Sequence, residues 1–130
     1  MLILDTHVLY WWVNRSPNKL APEHINLIET AESLAVSTMT AWEMMWLVKQ
    51  GRIVLQLPVA DWLDQVEASG VTMIPVSRAI AQRSVMLPEH HKDSVDRIII
   101  ATALDYQAQL LSADQRFPDY LELADLLVRV

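Results

Sequence analysis

The sequence predicts a three-layered α/β/α fold built on a central, mainly parallel sheet of four to five short strands. Two observations carry that prediction. The strand candidates are short and continuously apolar, as strands read when both faces of their sheet are covered. They also alternate with stretches of helical character, the pattern of successive βα units. With 52% apolar residues in 130, the chain can fill a core, and its length is that of a single domain spanning 1–130.

Taken in order, Leu2 to Leu4 reads as a buried strand ending at Asp5, and Val8 to Val13 as a helical turn or two. Pro22 suits the first turn of a helix running to Ala31. Leu34 to Ser37 is a second strand. Thr40-Ala41-Trp42-Glu43 opens a helix that ends near Gly51, and Pro58 to Ser69 forms another that Gly70 closes. Val71 to Val76 is a third strand and Ser77 to Val85 is helical. Asp93 caps a long helix from Ser94 to about Gln107, Gln109 to Leu111 is a fourth strand, and Leu126 to Val130 completes the set as a fifth.

Composition removes several function classes. There is no cysteine, hence no disulfide framework, thiolate zinc site or cysteine nucleophile. Two glycines, Gly51 and Gly70, cannot build a phosphate-cradling glycine loop, and no G-x-S-x-G elbow is present. Met1-Leu2-Ile3-Leu4-Asp5 lacks the basic start of a signal peptide, and no apolar run reaches the ~18 residues of a membrane span, so a cytoplasmic location and no membrane partner are expected. The net charge of −6 argues against a broad basic surface for nucleic acid. It leaves room for a site in which a bound cation reverses the local field.

In a parallel sheet the ligand crevice lies beyond the C-terminal strand ends. Four acids fall there: Asp5 after the first strand, Glu43 in the helix after the second, Asp96 in the first turn of the long helix, and Asp114 after the fourth strand. Each has an ordinary local explanation. Asp5 suits an N-cap, and Thr40-x-x-Glu43 fits a capping box. Asp93 and Asp96 suit a cap and a dipole-favoured first-turn acid, the reading preferred for Asp93. Asp114 suits a cap toward Phe117. The local explanations do not say why every position carries a carboxylate. Two carboxylates at 4 Å under an effective dielectric near 20 repel by about 4 kcal/mol, and a divalent cation is the natural compensation. Oxygen-only ligands select Mg²⁺ or Mn²⁺ over zinc. Asp5, Asp96 and Asp114 are accordingly assigned to the metal. Glu43 either completes its shell through water or orients the attacking water. Thr6 and Ser112 are the supporting hydrogen bonders, with Arg97 free either to touch substrate phosphate or to pair with a site acid. The chemistry expected is metal-assisted phosphodiester hydrolysis.

The residues carrying this pattern also resemble a known family. Leu4-Asp5-Thr6-His7-Val8-Leu9-Tyr10-Trp11-Trp12, Ser37-Thr38-Met39-Thr40-Ala41-Trp42-Glu43, Leu87 to Arg97 followed by Ile98-Ile99-Ile100-Ala101, and Leu111-Ser112-Ala113-Asp114 with Phe117 resemble, in order and spacing, the four motifs of VapC-type PIN-domain toxins. The resemblance implies a PIN fold, Mg²⁺- or Mn²⁺-dependent RNA cleavage, a homodimer and a cognate antitoxin. It places the acidic cluster on Asp5, Glu43, Asp96 and Asp114. Where the family often has proline and an aromatic between the acids of the third motif, this chain has Ser94 and Val95.

The acids alone fit another metal phosphoesterase, such as a DNA nuclease or a phosphatase, and the resemblance is what favours RNA. A non-catalytic partner-binding scaffold would be expected to have lost acids, and none is missing. Adjacent His90 and His91 point apart on regular backbone and suit a loop that shapes the cleft better than a pair of ligands. Trp11, Trp12, Trp42, Met44, Met45 and Trp46 exceed what one face of two short helices buries, so a dimer or antitoxin interface is expected to use the excess.

Overall fold

The computed structural model describes residues 1–130. Its elements are β1 (Leu2–Leu4), α1 (Thr6–Val13), α2 (Pro22–Thr30), β2 (Leu34–Ser37), α3 (Thr38–Lys49), α4 (Val59–Ala68), β3 (Val71–Ile74), α5 (Arg78–Met86), α6 (Ser94–Tyr106), β4 (Gln109–Ser112) and β5 (Leu127–Arg129). Two 3₁₀ turns, Phe117–Asp119 and Leu121–Leu123, fill the connection between β4 and β5.

The five strands lie in the order β3-β2-β1-β4-β5, and every pairing is parallel. β1 sits at the centre, with Ile3 beside Ala35 on one side and Leu110 on the other. Side chains alternate across the sheet. Ile3, Ala35, Ile74 and Leu110 join a core with Ile80 of α5 and Val95, Ile99, Ile100 and Ala103 of α6. Leu2, Leu4, Val36, Val71 and Leu111 join a second core with Val8 and Leu9 of α1, Ile28 of α2, Met44 and Leu47 of α3, and Trp62, Leu63 and Val66 of α4. A sheet with a core on each face is the expected α/β/α sandwich. No helix is long and apolar enough to cross a membrane.

Three local expectations are corrected. β3 stops at Ile74 and not at Val76. Its last partner is Ser37, where β2 gives way to α3, and Pro75 has no N–H to carry a ladder further. The Thr40-x-x-Glu43 capping box does not form, because α3 already starts at Thr38. Ser37 is its N-cap, accepting from the Met39 N–H at 3.1 Å. That leaves Glu43 in the second turn, free of any capping duty. α1 begins at Thr6 and not Val8, because Asp5 caps it. Asp93 caps α6, its Oδ1 accepting from the Asp96 N–H at 3.1 Å, as expected. Gly51 and Gly70 follow α3 and α4 at φ +69° and +105°, a conformation open to glycine without strain.

Candidate active site

Parallel strands deliver all their C-terminal ends to one edge of the sheet, and a helix returning across the sheet starts at that edge. This is why four acids separated by up to 109 positions, Asp5 to Asp114, meet in one cleft. Asp5 leaves β1, Asp114 follows β4, Glu43 rides on α3 beyond β2, and Asp96 lies in the first turn of α6. Together with His7, Trp11, Arg52, Asp93 and Arg116 they line a cleft of about 400 Å³.

Asp5 is the most fixed of the four. Its backbone N–H extends the ladder to the Leu111 carbonyl at 3.1 Å. Its Oδ1 accepts from the Thr6 N–H at 2.8 Å and its Oδ2 from the Ser112 hydroxyl at 2.7 Å. Only 6% of the residue is exposed. Burial pushes its carboxyl up to about 6 and the nearby charge of Glu43 adds to this, against the lowering effect of the Ser112 and Thr6 hydrogen bonds. The Ser112 oxygen in turn accepts from the Asp114 N–H at 3.0 Å, so one hydroxyl sets the relative position of two acids. The Thr6 and Thr40 hydroxyls lie 3.1 Å apart and tie α1 to α3, the helix that carries Glu43.

Asp96 is 8% exposed. Its carboxyl is pushed up to about 8, first by burial and then by the charges of Asp5, Asp93, Asp114 and Glu43. That all four act on it is the electrostatic signature of a shared cleft. Asp114 behaves oppositely. Burial acts to raise it, but Arg116 outweighs burial and holds the carboxyl below its ordinary range. Asp114 Oδ1 accepts from the Arg116 backbone N–H at 2.8 Å and from Nε at 3.1 Å, and Oδ2 accepts from Nη2 at 2.8 Å. The same Nη2 reaches Asp96 Oδ2 at 3.3 Å.

Two arginines depart from what the sequence suggests. Arg97, expected either to touch substrate phosphate or to pair with a site acid, forms no ion pair with an acid and is engaged with backbone carbonyls. Its Nη1 donates to the carbonyls of Pro88 and His91, and its Nη2 to those of Ser84, Val85 and Leu87, at 2.8 to 3.3 Å. It closes the C-terminal end of α5 and staples the loop leading to α6, supplying donors to helix-end carbonyls that have none of their own. Arg116, which the sequence pattern does not single out, lines the cleft together with Arg52 and bonds two of its acids. Its signal was its place two residues after Asp114, where an Asx-type turn brings side chain and backbone to the same carboxylate. Asp93 is exposed and stands at the rim as the α6 cap. His91 is buried among aromatic rings, stacked on Phe117 at 6.1 Å and edge-on to Tyr120 at 5.6 Å. It shapes the loop and lies outside the cleft lining.

The donor set suits a hard divalent cation. Every acidic ligand candidate in the cleft is a carboxylate, and Asp5 and Asp96 are buried at the cost of their ordinary acidity, which a cation would restore. No three acids or imidazoles form a ready-made cage.

A larger cavity of about 900 Å³ adjoins the cleft, with Trp11 lining both. Trp12, Leu20, Ile25, Leu57 and Trp62 make its walls largely apolar. Elsewhere, Trp42, Met45 and Trp46 stand exposed on α3, Trp42 by 50%.

Residues 2–122 match the family model described as PIN domain. The chain is 37% identical over 116 residues to Ribonuclease VapC22 of Mycobacterium tuberculosis, covering 88% of both proteins. Among solved structures it is similar to VapBC2 from Rickettsia felis bound to a promoter DNA fragment, at TM-score 0.73 and 17% identity over 99% of this chain and 98% of that one. A toxin–antitoxin complex from Klebsiella pneumoniae matches at TM-score 0.68 and 23% identity over 98% and 96% of the two chains.

Proposed function

This chain belongs to the PIN-domain family, and from that premise we propose that it is an Mg²⁺- or Mn²⁺-dependent endoribonuclease, the toxin of a toxin–antitoxin pair. The observation that carries the reading is the convergence of Asp5, Glu43, Asp96 and Asp114, from four separate elements, on one cleft at the C-terminal sheet edge. Asp5, Asp96 and Asp114 are the proposed metal ligands. A cation there would supply positive charge for a docking phosphate and lower the pKa of a bound water.

The chain's own groups do the rest. Ser112 and Thr6 hold Asp5 in one rotamer, so its oxygens are set before any ligand arrives. Thr40 fixes α3 against α1, and α3 presents the Glu43 carboxylate, whose role is to accept a hydrogen bond from the attacking water and so orient it. Arg52 and Arg116, the two basic side chains lining the cleft, give an acidic protein the local positive charge a phosphodiester needs. Asp93 contributes by starting α6, which carries Asp96.

The partner side of the reading rests on apolar surface. A cognate antitoxin would cover the cavity walled by Trp11, Trp12 and Trp62, next to the acids whose activity it must silence. Trp42, Met45 and Trp46 suit a homodimer interface, since large aromatics and methionine are enriched where protein surfaces meet. The whole of 1–130 is read as one nuclease domain acting in the cytoplasm.

The test is to incubate purified, partner-free protein with RNA and, separately, with DNA, with Mg²⁺, with Mn²⁺ and with chelator, beside Asp5→Asn and Asp96→Asn. Cleavage of RNA that needs metal and both carboxylates is the expected result. Cleavage confined to DNA would transfer the site to another phosphoesterase. Cleavage that survives chelator or both substitutions would remove the acids from the chemistry.

A further inference from the structure

We infer that the cavity beside the acidic cleft is a nucleobase pocket: it takes one unstacked base of the RNA next to the scissile phosphate, and Trp11 is the ring that positions it. The inference rests on the ribonuclease reading above and names what the substrate's base, as distinct from its phosphate, touches.

Continuity is the first ground. Trp11 lines both the acidic cleft and the cavity of about 900 Å³, so a strand whose phosphate lies among the acids meets the Trp11 ring where the two spaces join. The chemistry of the wall is the second. Half-buried Trp11 and Trp12 supply aromatic surface on which any base can stack. Asn14, Gln56 and Gln65 add side-chain amides, which pair with base edges as a purely apolar wall could not. The Trp62 Nε1–H donates to Asn14 Oδ1 at 3.3 Å, which fixes that amide and leaves its NH₂ to donate.

Charge is the third ground. Arg15 and Glu29, the two charged residues on the cavity wall, cancel, as suits an uncharged base. The remaining cations stand toward the phosphates. Lys19 holds its ammonium 5.5 Å from the Trp11 ring centre, and Arg52 lines the acidic cleft. The backbone adds to this. The Arg15 N–H donates to the Trp12 carbonyl at 3.2 Å and the Ser16 N–H to the Trp11 carbonyl at 2.9 Å, closing α1 in the turn that usually has glycine where Arg15 stands at φ +50°. An arginine in glycine's place keeps at the cavity a planar guanidinium, a group that stacks on bases. An antitoxin seated on the same walls would exclude RNA by competition. A purely structural Trp11 predicts something else: its loss would lower stability and slow the cutting of every sequence alike.

The test uses the Mn²⁺-loaded protein and an RNA with a randomised central stretch. Cut positions are read by sequencing, and KM and kcat are measured on the RNA cut best. Wild type, Trp11→Phe, Trp11→Ala and the double variant Gln56→Ala with Gln65→Ala are compared, each checked by its unfolding temperature. Wild type should prefer particular bases at one nucleotide flanking the cut. Trp11→Ala should flatten that preference and raise KM roughly tenfold, the low end of losing one base–aromatic stack, with a smaller change in kcat. Trp11→Phe should restore most of both. The two glutamines are exposed, so their loss should spare folding while changing the base preference about fivefold. Wild-type cutting without a flanking preference would overturn the inference. So would a preference kept intact by Trp11→Ala or, if that variant does not fold, by the glutamine double variant, and the cavity would then serve a protein partner alone. In each of these cases the nuclease reading stands. No RNA cleavage by wild type would instead overturn the nuclease reading itself, and the inference with it.

Discussion

Replacing Asp96 with asparagine should make the metal-free protein more stable even as it abolishes activity. The carboxyl of Asp96 is moved from 3.8 to about 8 by burial and by four neighbouring acids. A group whose folded pKa lies above its unfolded one makes the folded state bind a proton that the unfolded state lacks. Stability from this source is therefore greatest at low pH and falls as pH rises between about 4 and 8. At roughly 1.36 kcal/mol per pK unit, the cost of keeping Asp96 folded at pH 7.5 has a ceiling of about 5 kcal/mol. The contact with Arg116 is lost with the charge, but Arg116 keeps its bonds to Asp114, and a side chain 11% exposed retains some solvation. A net gain of about 2 kcal/mol is the working expectation, which for a domain of this size is a rise of about 8 °C in Tm.

Thermal or urea unfolding in chelator across pH 6 to 8 measures it. In this window Asp5, raised to about 6, and His91, lowered below its ordinary value by burial, also exchange protons on unfolding, so the difference between the two proteins isolates Asp96. Wild-type stability should fall more steeply with pH than that of Asp96→Asn, the two slopes differing by up to about 1.4 kcal/mol per pH unit. Adding Mn²⁺ should reverse the ranking, since a ligand bound by the native state alone stabilises it by about 2.7 kcal/mol at a hundredfold excess over Kd. An asparagine variant that is less stable than wild type in chelator, with an unchanged pH slope, would refute the claim that these carboxylates are strained against one another.

The other predictions follow from the same geometry. Apparent Mn²⁺ affinity of wild type, followed by thermal shift, should climb by up to about tenfold per pH unit between 6 and 8, because the cation must displace the proton of Asp96. Ser112→Ala removes the hydroxyl that lowers Asp5, so its carboxyl should titrate higher. RNA cleavage should fall about tenfold near pH 6.5 and recover in part by pH 8.5, a pattern a mere loss of stability would not produce. Arg97→Met strips donors from five carbonyls. It should cost about 2 kcal/mol in urea unfolding, with water replacing part of what is lost, while Mn²⁺ affinity of the folded protein stays unchanged. Replacing both Trp42 and Trp46 with serine should shift the protein toward monomer in analytical ultracentrifugation without lowering Tm by more than a few degrees, since both side chains are exposed in the isolated chain.

What the sequence determined by itself was whatever depends on neighbours a few positions away, together with the logic of a covered parallel sheet. Leu2 to Leu4, Leu34 to Ser37 and Gln109 to Leu111 read as strands because each carries a short apolar run, Leu2-Ile3-Leu4, Leu34-Ala35-Val36 and Leu110-Leu111, and all three lie in the sheet. Asp93 read as a cap because it precedes an apolar helical run, and it caps α6. Once parallel strands are inferred, acids past their ends and acids at the start of a helix returning to the sheet share an edge, which brings Asp5, Glu43, Asp96 and Asp114 together. Tertiary structure alone decided between choices that are locally equivalent. Whether Thr40 or Ser37 starts α3 depends on where β2 stops, and pairing with β1 and β3 sets that. The capping box was a valid local pattern overruled by sheet register. Arg97 and Arg116 both stand beside a site acid in sequence. Only packing reveals that the end of α5 delivers five carbonyls to Arg97, while the turn after β4 folds Arg116 back onto Asp114 and Asp96. An arginine's long side chain finds its partners among groups far along the chain. Its role is therefore decided by where other elements bring those groups, which no local pattern records.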